Sequence, residues 1–194
     1  TAGNIVLSFA LMNIFARTLG CVFGDKFGKL KGLRGRVLFL AGILAVQGVM
    51  LMTFSTTTSI IVGIVFLILF SLSVQMAEGA TFSVVPFINK KAIGSVSGIV
   101  GAGGNVGAFL AAMLLKSQSA VAEKAAIVAN QGLGEETIKA AQSAASATAV
   151  SSGYFIIGTI VVVTAVVSLT IRFSSEDEKV AKEDSFVNPE DLIP

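Results

Sequence analysis

Only two charged residues fall inside the long apolar stretches of this sequence, Arg17 and Glu78. A charge at the centre of a membrane-spanning helix costs about 2.5–3.5 kcal/mol on insertion scales, so such residues face a bundle interior or a water-filled cavity. The guanidinium of Arg17 is a planar fork of five donors, suited to a planar oxyanion. At helical spacing Arg17 shares its face with Asn13, Gly20 and Gly24, a polar and small set expected of a cavity wall. Glu78 has Ser71, Gln75 and Phe82 on or near its own face. Three roles are open to it: an ion pair with Arg17, uptake of a proton, or a pair with a base in a neighbouring loop. A purely structural pair is the competing reading for both residues.

The rest of the composition narrows the setting. The chain has 194 residues, of which 54% are hydrophobic and 13% charged, with a mean hydropathy of +0.84. Soluble domains carry about 25% charged residues, so a soluble enzyme is disfavoured. A net charge of +2 is too balanced for a nucleic-acid binder. There is no His and a single Cys, which removes most zinc sites, His-based triads and disulfide frameworks. No metal or cofactor site is expected. With no His and no carboxylate pair in the spans, a membrane enzyme is also disfavoured.

What must position the two charges is a set of membrane helices, each needing about 20 apolar residues. Five candidates stand out, at 4–23, 37–54, 59–88, 92–115 and 153–171. The first lacks the basic start of a signal peptide, and the absence of an initial Met points to a partial sequence. Lys and Arg number ten in segments 24–36 and 89–91 and the tail from Arg172, against three in 116–152. That asymmetry puts the N-terminus outside and the C-terminus in the cytoplasm. The expected organisation is helices with a cytoplasmic loop at 24–36 over residues 1–116, an extracellular Ala-rich loop at 117–152, a last span at 153–172 and a polar cytoplasmic tail at 173–194. Residues 117–150 are too polar to span, and Q-G-L-G at 131–134 is expected to divide them into two short surface helices. Pro86 is expected to kink the third span near its inner end.

The fourth span is rich in glycine. Gly94, Gly98 and Gly101, then Asn105, Ala108 and Ala112, fall on one stripe at helical spacing, with Gly103 and Gly107 on the opposite face. Such stripes let helix backbones approach closely, and helix packing is the simplest reading. The density of glycine, which weakens a helix, and the in-line Asn105, able to reach a polar ligand, argue for more. In the loop, Asp25 lies among closely spaced bases and glycines, including Gly28, Lys29 and Arg34. Beyond a plain positive-inside loop, this suggests a salt-bridge latch between helix ends.

Four motifs together resemble a known family. G-D-K-F-G-K at 24–29 resembles the cytoplasmic loop signature of the major facilitator superfamily, in its second-half copy. F-A-R-T-L-G at 15–20, A-E-G-A-T-F-S-V-V-P-F at 77–87 and G-S-V-S-G-I-V-G-A-G-G-N-V-G-A at 94–108 resemble the eighth, tenth and eleventh helices of the nitrate/nitrite porter family. The likeness is to the high-affinity type of eukaryotic algae, fungi and plants. The resemblance implies an all-α, polytopic helix bundle, the C-terminal half of a major facilitator fold with its eighth to twelfth helices. It implies import of nitrate, or nitrite, with protons by alternating access, in the plasma membrane. Arg17 matches one of two arginines that clamp the anion between the halves, with Asn13 and Asn105 as further substrate-binding candidates. Gly94, Gly98, Gly101, Gly104 and Gly107 match the nitrate signature and its helix packing, and Glu78 matches an acidic residue of the tenth helix. The implied partners are nitrate or nitrite, protons, the lipid bilayer and an N-terminal half that this sequence lacks; an accessory membrane protein is left open, and nucleic acid is not implied.

The sequence departs from the pattern at Cys21, four before Asp25, where the loop signature usually has Gly, and in the length of 117–150. Without the partner half the chain is not expected to transport alone, because secondary-transporter sites lie between repeats. The alternatives are a porter of another small anion or a sugar in the same superfamily, or a non-transporting nitrate sensor.

Overall fold

The computed structural model describes the backbone of residues 2–175 and 177–179, and side chains from Phe15 onward within that range apart from Lys90. The described chain is all-α. Its long helices are α1 (Ala2–Thr56), α2 (Ile60–Val84), α3 (Ile93–Ala129) and α4 (Glu135–Ser168). Each contains a stretch long and apolar enough to cross a membrane.

α1 holds 55 residues but is not one rod. Lys31 and Gly32 leave helical geometry, with Gly32 at φ 66° and ψ −152°, a region essentially reserved for glycine. In a straight helix Phe23 and Phe39 would lie about 24 Å apart. Their ring centroids are 6.1 Å apart, and those of Phe27 and Phe39 are 5.3 Å apart and stacked. The chain therefore folds back at Gly32 into two antiparallel arms, 2–30 and 33–56. The break falls within the basic segment 24–36, where closely spaced charges favour water over the bilayer.

α2 stops where Pro86 removes a backbone donor. Val85–Phe87 tighten into a 3₁₀ turn, and Asn89, extended, accepts a hydrogen bond on its side chain from Lys91 N–H at 3.0 Å before α3 begins. Pro86 thus ends the helix instead of kinking it.

α3 and α4 extend well past their apolar parts. At 37 and 34 residues they are about 55 Å and 51 Å long, against a hydrocarbon core of about 30 Å. The turn at 130–134 falls where Q-G-L-G predicted it, with Gly132 at φ +98°. The two predicted surface helices are instead continuous with the spans. Ala-rich sequence without Pro gives the helices no reason to stop at the membrane boundary. The hydroxyls of Ser119 and Ser146, 2.6 Å apart, join the two extensions.

The helices pack in the order α3, α4, α1, α2. The second arm of α1 crosses α4 at a glycine pair: a Cβ on Gly48 would meet Gly158 O, and one on Gly158 would meet Gly48 O. Ser151 donates to Ser55 O and Phe54 meets Tyr154 edge-on at the same contact. α3 has no buried residue among those described.

Candidate functional site

The site begins with the crossing of α1 and α2. Ala16, Gly20, Gly24 and Gly28 are buried and recur every four residues along the first arm, forming one stripe. α2 answers with buried Ala77, Gly79, Ala80 and Ser83. The backbones touch: a Cβ on Gly20 would run into Met76 O, and one on Gly79 into Arg17 O. Cys21 also packs here, its thiol donating to Gly79 O at 3.3 Å, so the departure from Gly at this position keeps the close approach. Gly20 and Gly24 are therefore packing residues against α2. The cavity wall expected around them is instead a helix contact, because the stripe that includes Ala16 is the one that turns inward.

This contact sets Arg17 beside Glu78. The guanidinium Nη2 forms an ion pair with Glu78 Oε1, and the two side chains keep 48% and 41% of their surface open. The pair lies at the edge of the packed seam and faces outward from it. One turn before Glu78, the side-chain oxygen of Gln75 is buried without a hydrogen-bond partner among the described residues, as is that of Gln47. Chemically this is a guanidinium whose charge is held by one carboxylate, open on a side from which an anion or a proton could reach it.

The other candidates are not gathered at this pair. The side chain of Asn13 lies outside the described residues. Asn105 is exposed on α3, and no hydrogen bond or ion pair links it to Arg17 among the described residues. Gly94, Gly98, Gly101, Gly104 and Gly107 have no neighbour within 4 Å of an added Cβ. Both the stripe and the opposite side of α3 are thus uncovered by the described chain at these glycines. No group of three His, Cys, Asp or Glu able to hold a metal occurs among the described residues.

In the basic segment Asp25 pairs with Arg36 at 3.0 Å; among the described residues no ion pair joins it to Arg34 or Lys29. Arg36 is buried against Gly28, donates to Ser83 O and lies 4.5 Å over the Phe87 ring. It joins both arms of α1 to the C-terminal end of α2, where free carbonyls favour a cation. Arg34 is exposed and lines a separate cavity with Arg172. The signal for Arg36 was its place at the foot of the second apolar run. Spacing alone did not separate it from Arg34, two residues earlier.

The chain is 43% identical over 114 residues to the high affinity nitrate transporter 2.5 of Arabidopsis thaliana, covering 59% of this chain and 23% of the relative. It is 41% identical over 108 residues to nitrate transporter 2.2 of Chlamydomonas reinhardtii, covering 55% and 21%. It is 34% identical over 121 residues to the nitrate/nitrite transporter NrtP of a Picosynechococcus strain, covering 61% and 22%. No family model and no solved structure matches. The chain is a relative of these nitrate and nitrite transporters, and the match spans about a quarter of their length or less. With helices able to cross a membrane, it is an integral, multi-pass membrane protein.

Proposed function

We propose that this chain is the C-terminal part of a nitrate importer, a secondary transporter and not an enzyme, working by alternating access. The observation that carries the reading is the half-open Arg17–Glu78 pair in a chain related to nitrate transporters. With α1 counted as two spans, the chain supplies five, corresponding to the eighth to twelfth helices of a major facilitator fold. Arg17 binds the planar anion through its guanidinium fork, with Asn13 and Asn105 as polar partners. The uncovered stripe of α3 at Gly94, Gly98 and Gly101 receives helices of an N-terminal half that brings a second arginine. The site then lies between the halves, as in other secondary transporters.

Glu78 couples protons to nitrate. While ionised it occupies the guanidinium; protonation releases Arg17 for the anion. Deprotonation on the inner side restores the pair and expels nitrate. The positive-inside bias puts the 24–36 loop and the tail in the cytoplasm, with the α3–α4 extension outside and the plasma membrane as the location.

The test is flux through the full-length protein in proteoliposomes. Nitrate should accumulate inside, driven by an inward proton gradient. Binding without flux would identify a sensor, and uptake of another anion in preference to nitrate would identify a different porter.

A further inference from the structure

The segment after α4 carries chemistry that nitrate transport does not use. Past Ser168 the chain returns to the break in α1. There Arg34, Ile171, Arg172, Phe173 and Glu178 line a cavity of about 370 Å³. Arg34 and Arg172 are both exposed, and they come from segments more than 130 residues apart in the sequence. Among these lining residues two guanidiniums face a single carboxylate, leaving one positive charge uncompensated. Paired guanidiniums are suited to a phosphate, whose oxygens accept from both forks at once.

The phosphate's source is in the same segment. Ser175 is exposed and lies between the lining residues Phe173 and Glu178. Its Cα is within about 8 Å of that of Phe173, two peptide units away. The three residues that follow it are Glu176, Asp177 and Glu178. A serine with acidic residues at the next three positions offers the charge pattern that a protein kinase with a basic substrate cleft selects.

We propose that Ser175 is a phosphorylation site whose phosphate is held by Arg34 and Arg172, tying the segment after α4 to the break in α1. The Ser175 Oγ attacks the γ-phosphorus of a nucleoside triphosphate held by an acidophilic kinase. The new O–P bond forms as the bond from that phosphorus to the bridging oxygen breaks. The nucleoside diphosphate leaves, and the hydroxyl proton passes to the kinase's base. The product carries about −1.5 to −2 charge and three acceptor oxygens. It fixes the end of α4 to the hinge between the two arms of α1. Access of a kinase in the cell rests on the proposed cytoplasmic orientation. In detergent both faces are open, so the test does not depend on that orientation or on nitrate transport.

The full chain in detergent micelles is incubated with an acidophilic kinase and ATP, and the phosphate is located by mass spectrometry. Modification at Ser175, absent in Ser175→Ala, is the expected result; no modification there, or modification of Ser174 alone, overturns the proposal. The phosphate is then titrated by ³¹P NMR. Its second pKa, about 6 when free, should lie roughly one unit lower in the unaltered chain than in Arg34→Gln/Arg172→Gln. Equal titration in the two overturns it. Phosphorylation should also slow tryptic cleavage after Arg172 severalfold in the unaltered chain, a readout that needs no variant; an unchanged rate counts against the proposal.

Discussion

Arg17 and Glu78 form an ion pair at the edge of a seam in which Gly79 lies against the carbonyl of Arg17 itself. The same backbone approach that packs the two helices sets the two charges side by side. Neither is sealed away, with close to half of each side chain open. The pair is thus held in place by the seam and remains accessible from outside it. Replacing Glu78 with Gln in the full-length protein removes the carboxylate that holds the charge of Arg17. Nitrate should still bind, and uptake should lose its dependence on an inward proton gradient. Uptake of labelled nitrate with and without that gradient checks this; an unaltered dependence would remove Glu78 from coupling.

Arg17→Lys tests the anion site. Lysine keeps the charge and loses the fork, so nitrate uptake by the full-length protein should fall at least tenfold, a loss of about 1.4 kcal/mol or more. Unchanged affinity and uptake would sink the claim that Arg17 binds the substrate.

The two sets of glycines should respond in opposite ways. Gly79→Ala places a methyl against the Arg17 carbonyl, and overpacking of this kind costs about 1–3 kcal/mol. Gly101→Ala meets open space in this chain and should stabilise its helix by up to about 1 kcal/mol. Thermal unfolding of the 194-residue chain in detergent compares the two. In the full-length protein Gly101→Ala should reduce uptake if that face receives the other half.

Arg36 and Asp25 are unequal partners. Arg36 is 9% exposed and also holds Ser83 O and the Phe87 ring, whereas Asp25 is 54% exposed. Arg36→Ala leaves a buried carbonyl and a carboxylate without their cation and should cost about 3 kcal/mol. Asp25→Asn removes a largely solvated partner and should cost about 1 kcal/mol or less. Equal losses in thermal unfolding would show that Asp25 carries the latch.

Gly32→Ala should destabilise the chain by about 1–3 kcal/mol, the range for backbone strain at a φ/ψ that non-glycine residues avoid. The measurement is again thermal unfolding, with Gly28→Ala as a comparison in which the added methyl crowds the Arg36 side chain instead.

Hydropathy alone located the apolar segments, because spanning length and charge exclusion are properties of the local chain. It isolated Arg17 and Glu78 for the same reason: a charge within an apolar run is visible without any neighbour. The positions of Pro86 and of Q-G-L-G at 131–134 were also legible, since each acts through its own backbone, whereas Gly32 did not stand apart from the other glycines of segment 24–36. The motifs at 15–20, 77–87 and 94–108 pointed to the transporter relatives on residue identity alone. The pairing of surfaces was not legible. Successive residues turn about 100° around a helix, so spacing tells which side chains share a face but not which face meets a neighbour. Helical spacing groups Gly20 and Gly24 with Arg17, yet the inward stripe runs through Ala16 and leaves Arg17 at its margin. Asp25 could have met any of several bases, and only the fold-back at Gly32 brought Arg36 to it. The partners of Arg17, Asp25 and the packed glycines were decided by which helices lie side by side, through contacts between residues distant in the sequence.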